Sequence, residues 1–135
     1  MSSDKRNSII TLVVIVIIIA GVFLLPKAAP SKYTGLDSFA QCLTDKGVVM
    51  YGAYWCVHCK NQKALFGDSF KKVTYVECTE KAEECTAAGV NSYPTWIFPD
   101  FVDQTGSTTP GRIFRGEVPL ETLADESGCE LGIKQ

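Results

Sequence analysis

Two cysteines stand three positions apart in Trp55-Cys56-Val57-His58-Cys59, directly after the apolar run Val48-Val49-Met50-Tyr51-Gly52-Ala53. Thiols at this spacing, where a strand gives way to a helix, make a reversible dithiol/disulfide site. Cys56 then sits at the positive end of the helix dipole, which favours its thiolate. A thiolate is the attacking species in disulfide exchange. Cys59 lies one turn on and reads as the more buried, resolving thiol, placed to close the ring or release a trapped mixed disulfide. His58 is the one histidine of the chain and falls between the two sulfurs, where it can donate to or polarise the Cys56 thiolate. Stabilising the thiolate stabilises the reduced form and makes the disulfide a better oxidant. The site needs no cofactor, because the disulfide is itself the redox group.

The remaining four of the six cysteines admit several readings. A CxxC knuckle is half of many zinc sites, and Cys78 with Cys85 could complete one. Their spacing of six intervening residues and the strand pattern before Cys56 argue against it, so no metal site is expected. Cys78 and Cys85 are read as a structural disulfide closing a small loop, worth about 2.5 kcal/mol by chain entropy; a second redox couple is the alternative. Cys42, on the inward border of a helix, is expected to be a buried free thiol. Cys129 could pair with it or stay free.

Elements that must position the dithiol can be read on both sides of it. Leu36, Phe39, Ala40 and Leu43 recur at helical spacing, and Gly47 ends the pattern. Val48–Ala53 is a buried-type strand and Cys56–Phe66 a helix closed by Gly67. Val73–Glu77 is β-rich, Glu80–Ala88 helical, Thr95–Phe98 and Arg112–Arg115 strands, and Pro119 opens a last helix ended by Gly128. The order α-β-α-β-α-β-β-α predicts an α/β fold: a central mixed sheet with helices on both faces. The dithiol then projects from the carboxyl end of a central strand. Trp55, Tyr54 and Trp96 are core or rim aromatics, Trp55 also shielding the dithiol; Tyr33 and Tyr51 belong to the core.

Composition narrows the setting. A net charge of −2 over 135 residues, with no basic stripe, gives no reason to expect nucleic acid. Lys5 and Arg6 precede a stretch from Asn7 to Pro26 without a charged residue. Twenty helical residues span roughly 30 Å, the thickness of the hydrocarbon core. The run is longer than a usual signal core and lacks a small-x-small cleavage site before Pro30, so it is expected to be a retained single-pass anchor. The expected organisation is a cytoplasmic tail (1–8), a transmembrane anchor (9–25), a linker (26–34) and one compact domain (35–135). Positive charge before the span mildly favours an inside N-terminus, and six cysteines fit an oxidising compartment. The domain is therefore expected outside the cytoplasmic membrane, on its periplasmic or extracellular face.

Three blocks resemble the thioredoxin superfamily: Trp55-Cys56-Val57-His58-Cys59 after a strand, Ser92-Tyr93-Pro94-Thr95 before the next core strand, and Arg115-Gly116 before the final helix. The resemblance implies a thioredoxin fold in which Pro94 is a cis-proline facing the dithiol and the Tyr93 backbone pairs with a substrate strand. Phe39–Leu43, Met50–Cys56, Leu65–Gly67, Tyr75–Cys78 and Tyr93–Trp96 are further similar to the thioredoxin-like domain fused to bacterial and plant homologues of vitamin K epoxide reductase. In those fusions a membrane helical bundle passes electrons from this domain to a quinone. By that likeness the redox partner here is a separate membrane protein and the substrates are protein thiols and disulfides. Three departures stand out: Val57 where the family has proline, Met50 where thioredoxin has a buried acid, and a long connection over Pro99–Gly111. Two other functions share the motif, an extracytoplasmic reductase or isomerase and a metal-binding carrier with the same fold. The carrier would need a soft-ligand set with a distal histidine, which His58 serves poorly.

Overall fold

The computed structural model describes residues 3–23, 33–102 and 104–132. Helix α1 (Ser3–Phe23) is followed by α2 (Leu36–Asp45), β1 (Val49–Gly52), α3 (Val57–Phe66), a 3-10 helix (Gly67–Lys72), β2 (Thr74–Glu77) and α4 (Ala82–Ala87). Then come β3 (Thr95–Ile97), β4 (Phe101–Val102), β5 (Thr108–Thr109), β6 (Ile113–Arg115) and α5 (Leu120–Ser127). The main sheet has the order β2-β1-β3-β6, with β1 parallel to β2 and antiparallel to β3. β1 is thus an inner strand, and its carboxyl end delivers the chain to Cys56.

The apolar periodicity of α2 puts Leu36, Phe39, Ala40 and Leu43 against the sheet, all buried. On that face Phe39 and Phe66 stack at 5.9 Å between ring centroids, and Phe66 lies 6.0 Å from Trp96. Each such side chain stabilises the fold by about 1.5–3 kcal/mol through removal from water, and each aromatic pair adds about 0.5–1.5 kcal/mol. A smaller cluster on the opposite face joins Tyr51, Val76, Cys78 and Cys85. Tyr33 is also buried and hydrogen-bonds Glu121, so the domain takes in the end of the expected linker.

The long connection after β3 folds back as its own two-stranded hairpin, β4 with β5, turning through Gly106 at φ 83°. The expected helix over Glu80–Ala88 is shorter, beginning at Ala82 because the chain first turns over Cys78–Glu80. The expectation of a free Cys42 is corrected: Cys42 is bonded to Cys129. That bridge ties α2 to the chain just beyond α5 and closes a loop of 87 residues, worth ~4.5 kcal/mol on the chain-entropy account.

At the N-terminus α1 includes the polar start of the chain as well as the apolar run, and the side chains of residues 9–19 are exposed. Among the described residues no helix is long and apolar enough to cross a membrane. The end of the expected anchor and most of the expected linker, residues 24–32, lie outside the described residues.

Candidate active site

Leaving β1, the chain turns through Ala53-Tyr54-Trp55, and Cys56 becomes the N-cap of α3 in an extended conformation. An N-cap side chain faces the unpaired N–H groups of the first turn. Here the Cys56 sulfur accepts from the Cys59 N–H at 3.1 Å and from the Cys59 S–H at 2.7 Å. Both cysteines are free thiols. Cys56 keeps 6 % of its surface exposed and Cys59 1 %, so only the first has a route to another molecule. Burial, and then the bond to Cys56, push the Cys59 thiol up to about 12, which makes it the proton donor of the pair.

Of the groups expected to receive a substrate strand, Trp55 and Tyr93 border the same depression as Cys56. Tyr93–Pro94 is a cis peptide bond. The Pro94 carbonyl accepts from the Gly116 N–H at 2.8 Å, which joins the bend to the loop before α5. An open depression of about 580 Å3 is lined by Trp55, Cys56, Val57 and His58 on one side and Asn91, Ser92 and Tyr93 on the other. Trp55 stands edge-on to Tyr93 at 6.0 Å. Tyr54, Trp55 and Val57 are each about three-fifths or more exposed, so these two aromatics form a rim while Trp96 is core.

His58 has a partner beyond the dithiol. Its Nδ1 lies 2.6 Å from Glu117 Oε1, and the same oxygen accepts from Asn61 Nδ2 at 3.0 Å. Those two bonds hold the Glu117 carboxyl below the usual carboxylate range. The carboxylate can only accept, so Nδ1 carries the proton and the ring is oriented by Glu117. Sequence reasoning missed Glu117, which is distant in sequence from His58; its place directly after Gly116 is the signal that could have found it. Gln62 was missed as well. It is fully buried, and its amide both donates to the Val118 carbonyl at 2.9 Å and accepts from the Val118 N–H at 2.6 Å. α3 is thereby fastened to the loop before α5.

Behind the dithiol the sheet supplies space and charge. A Cβ on Gly52 would lie 2.9 Å from the Cys59 sulfur and 3.2 Å from the Tyr75 oxygen. Only glycine leaves room for both. Tyr75 donates to Glu77 Oε2 at 2.7 Å, and Lys63 Nζ sits 3.5 Å from the Tyr75 ring centre. Burial opposes the Glu77 charge. The bonds from Thr79, Tyr75 and the Tyr54 N–H outweigh it, and the carboxyl is held low.

Cys78 and Cys85 are joined to each other and buried. Neither is therefore available to complete a zinc site with the dithiol. Among the described residues there is no group of three or more His, Cys, Asp or Glu placed to hold a metal ion.

Residues 31–124 match the family model for thioredoxin. The chain belongs to the thioredoxin family. It is 34% identical over 103 residues to the thiol-disulfide oxidoreductase LTO1 of Arabidopsis thaliana, covering 70% of this chain and 24% of that protein. It is 35% identical over 99 residues to protein disulfide isomerase-like 2-2 of Oryza sativa subsp. japonica, covering 65% of this chain and 25% of that one. The chain thus spans about a quarter of the length of these curated relatives. Among solved structures, Fasciola hepatica thioredoxin aligns at a TM-score of 0.41 and 19% identity over 62% of this chain and 79% of that one. The matched stretch includes both free thiols, Cys56 and Cys59.

Proposed function

We propose that this chain is a membrane-anchored thiol-disulfide oxidoreductase that acts on exported proteins through Cys56 and Cys59. The observation that carries the reading is the Cys56 sulfur itself. It accepts two hydrogen bonds from Cys59 and opens on a depression whose far wall is the residue before a cis-proline. Cys56 attacks or is attacked. Trp55, Tyr93 and Pro94 receive the partner chain, and Cys59 resolves the mixed disulfide. His58 borders the same depression as Cys56, its ring steered by Glu117. Cys78–Cys85 is a structural staple.

The preferred direction is oxidation, with the dithiol recharged by a separate quinone-coupled membrane protein of the vitamin K epoxide reductase kind. That partner rests on the motif resemblance alone. A second reading, reductase or isomerase, is favoured by one observation. The Glu117 carboxylate partly offsets any positive charge on His58, which weakens its pull on a thiolate at Cys56. Midpoint potential separates the two. An oxidant lies well above the roughly −270 mV of thioredoxin, towards the −120 mV of the strongest oxidants, and a reductase lies near the lower value.

The anchor and the extracytoplasmic setting are supported by the exposed Ile and Val side chains along α1 and by two disulfides in so small a domain. The test of the whole reading is a trap. The full chain with Cys59→Ala is expressed in cells, fractionated, and its mixed disulfides identified. Exported proteins and a membrane redox protein bonded to Cys56 in the membrane fraction are expected. Recovery of the chain without attached protein would overturn the proposal.

A further inference from the structure

The chain before α5 sends opposite charges to the two walls of the Cys56 depression. Gly116 donates its N–H to the Pro94 carbonyl at 2.8 Å and so is tied to the cis bend. Its two neighbours diverge. Glu117 meets His58 and Asn61 of α3. Arg115, the last residue of β6, turns to the other wall. Its Nε donates to Asn91 Oδ1 at 3.1 Å, and Asn91 borders the depression together with Ser92 and Tyr93. A guanidinium carries five N–H donors in a planar fork. The bond to Asn91 fixes that plane and uses one donor. Arg115 is exposed, and among the described residues no carboxylate pairs with it. Arg112, three residues earlier, is by contrast bonded to Glu126 at 2.6 Å. Arg115 is thus a cation braced only by a neutral amide, at the edge of the cleft where a partner chain is received.

We propose that Arg115 selects substrates by charge, receiving an acidic side chain close in sequence to the cysteine that reacts at Cys56. The proposal rests on the reading of Cys56 and Cys59 as the exchanging pair and names the class of peptide that pair prefers. Asn91 stands two residues before Tyr93. A strand received at Tyr93 advances about 3.3 Å per residue, so it passes Asn91 and its bound guanidinium within about two residues of its cysteine. A carboxylate there takes parallel N–H bonds from Nη1 and Nη2 while Nε stays on Asn91, the planar recognition that a lysine does not offer. The opposite wall works against the reverse arrangement. The Glu117 carboxylate repels an acid placed on the His58 side, and its own bonds already go to His58 and Asn61. The cleft therefore reads both the sign of a charge and the side on which it lies. An exposed ion pair of this kind is worth a few-fold. Arg115 biases the choice among substrates and leaves the sulfur chemistry to Cys56.

The experiment mixes the full chain, with Cys56–Cys59 oxidised, with short reduced peptides that carry two cysteines. Samples are quenched in acid at intervals and separated by mass. The peptides differ only in having Asp, Asn or Lys two positions from the cysteines. Each rate is divided by the rate of the same peptide with Arg115→Ala, which cancels the effect of the charge on the peptide's own thiols. The ratio is expected to be roughly three for Asp, about one for Asn and below one for Lys. The spread should collapse in 1 M salt, where charges are screened within about 3 Å. Arg115→Glu should invert the order of the Asp and Lys peptides, which loss of a mere brace on Asn91 would not do. Arg115→Lys should keep only part of the Asp preference, since it keeps the charge without the fork. Equal ratios for the three peptides, whether at one or shifted together, or no inversion with Arg115→Glu, overturn the proposal. Failure of the unsubstituted chain to oxidise any of the peptides would instead sink the reading of the dithiol on which it rests.

Discussion

Two cysteine pairs follow neighbouring strands, β1 and β2, and have opposite fates. Cys56 and Cys59 are reduced; Cys78 and Cys85 are bonded. Burial does not separate them, since Cys56 at 6 % exposure is scarcely more open than Cys78 at 4 %. Their surroundings do. Cys56 caps a ten-residue helix, accepts two hydrogen bonds and borders an open depression. Cys78 and Cys85 sit among Tyr51, Val76 and Val90, and the one contact recorded for the Cys78 sulfur beyond its partner is the Val76 carbonyl at 4.0 Å, among the described residues. Reactivity in this domain follows from donors aimed at a sulfur and from a way in, not from accessible area alone.

That contrast can be broken by substitution. Cys56→Ser should abolish disulfide exchange, a loss of at least ~10³-fold, because a hydroxyl at that position is not ionised near neutral pH; turnover with a reduced protein substrate checks it. Removing the bridge between Cys42 and Cys129 by paired alanines should lower stability by about 4.5 kcal/mol while exchange at Cys56 continues below the new melting point. Urea unfolding reads the first and substrate oxidation the second. The same pair of measurements on Cys78→Ser with Cys85→Ser should show about 2.5 kcal/mol and little change in exchange. A large loss of exchange in the folded variant would make Cys78–Cys85 a working redox couple. Gly52→Ala drives a methyl to within 2.9 Å of the Cys59 sulfur. A cost of about 1–3 kcal/mol is expected, with a larger effect on the reduced form than on Cys78–Cys85.

The smallest effect expected is a pH dependence. Folding raises the Cys59 value above that of a free thiol, to about 12. Its contribution to the stability of the reduced form is therefore complete below roughly pH 8.5 and disappears as pH climbs from there through the folded value. Glu77 and Glu117 run the other way. Both are depressed, so their contributions stand above the ordinary carboxylate range and vanish as pH falls through the folded values. Stability of the reduced domain followed by denaturant melts from pH 3 to 11 should decline at both ends. The alkaline decline should be smaller after Cys59→Ala, the remainder coming from Tyr51 and Tyr75, which burial also raises.

Much of this was legible because it is local. The run from Val48 to Ala53, the helical spacing of Leu36, Phe39, Ala40 and Leu43, and the punctuating glycines each carry their own signal, and the strands and helices fall where those signals lie. The neighbourhood of Cys56 follows from strand, turn and helix within a dozen residues. What escaped is what the chain assembles from afar. Glu117 turns the His58 ring from across 59 positions, and Gln62 finds Val118 across 56. Cys42 meets Cys129 only because α2 and the end of α5 pack together, a relation no spacing announces. The hairpin inside the long connection was also missed, since strands of two residues carry no periodicity.

The division between one working pair and two staples is most directly tested by a redox titration of the full chain. The chain is equilibrated in glutathione buffers of graded potential and alkylated, and the state of all six cysteines is mapped by mass. Cys56 and Cys59 are expected to switch together as one two-electron couple, at a potential above roughly −270 mV, while Cys42–Cys129 and Cys78–Cys85 stay bonded throughout. Opening of Cys78–Cys85 in the same window, or a Cys56–Cys59 pair that does not switch, would contradict it.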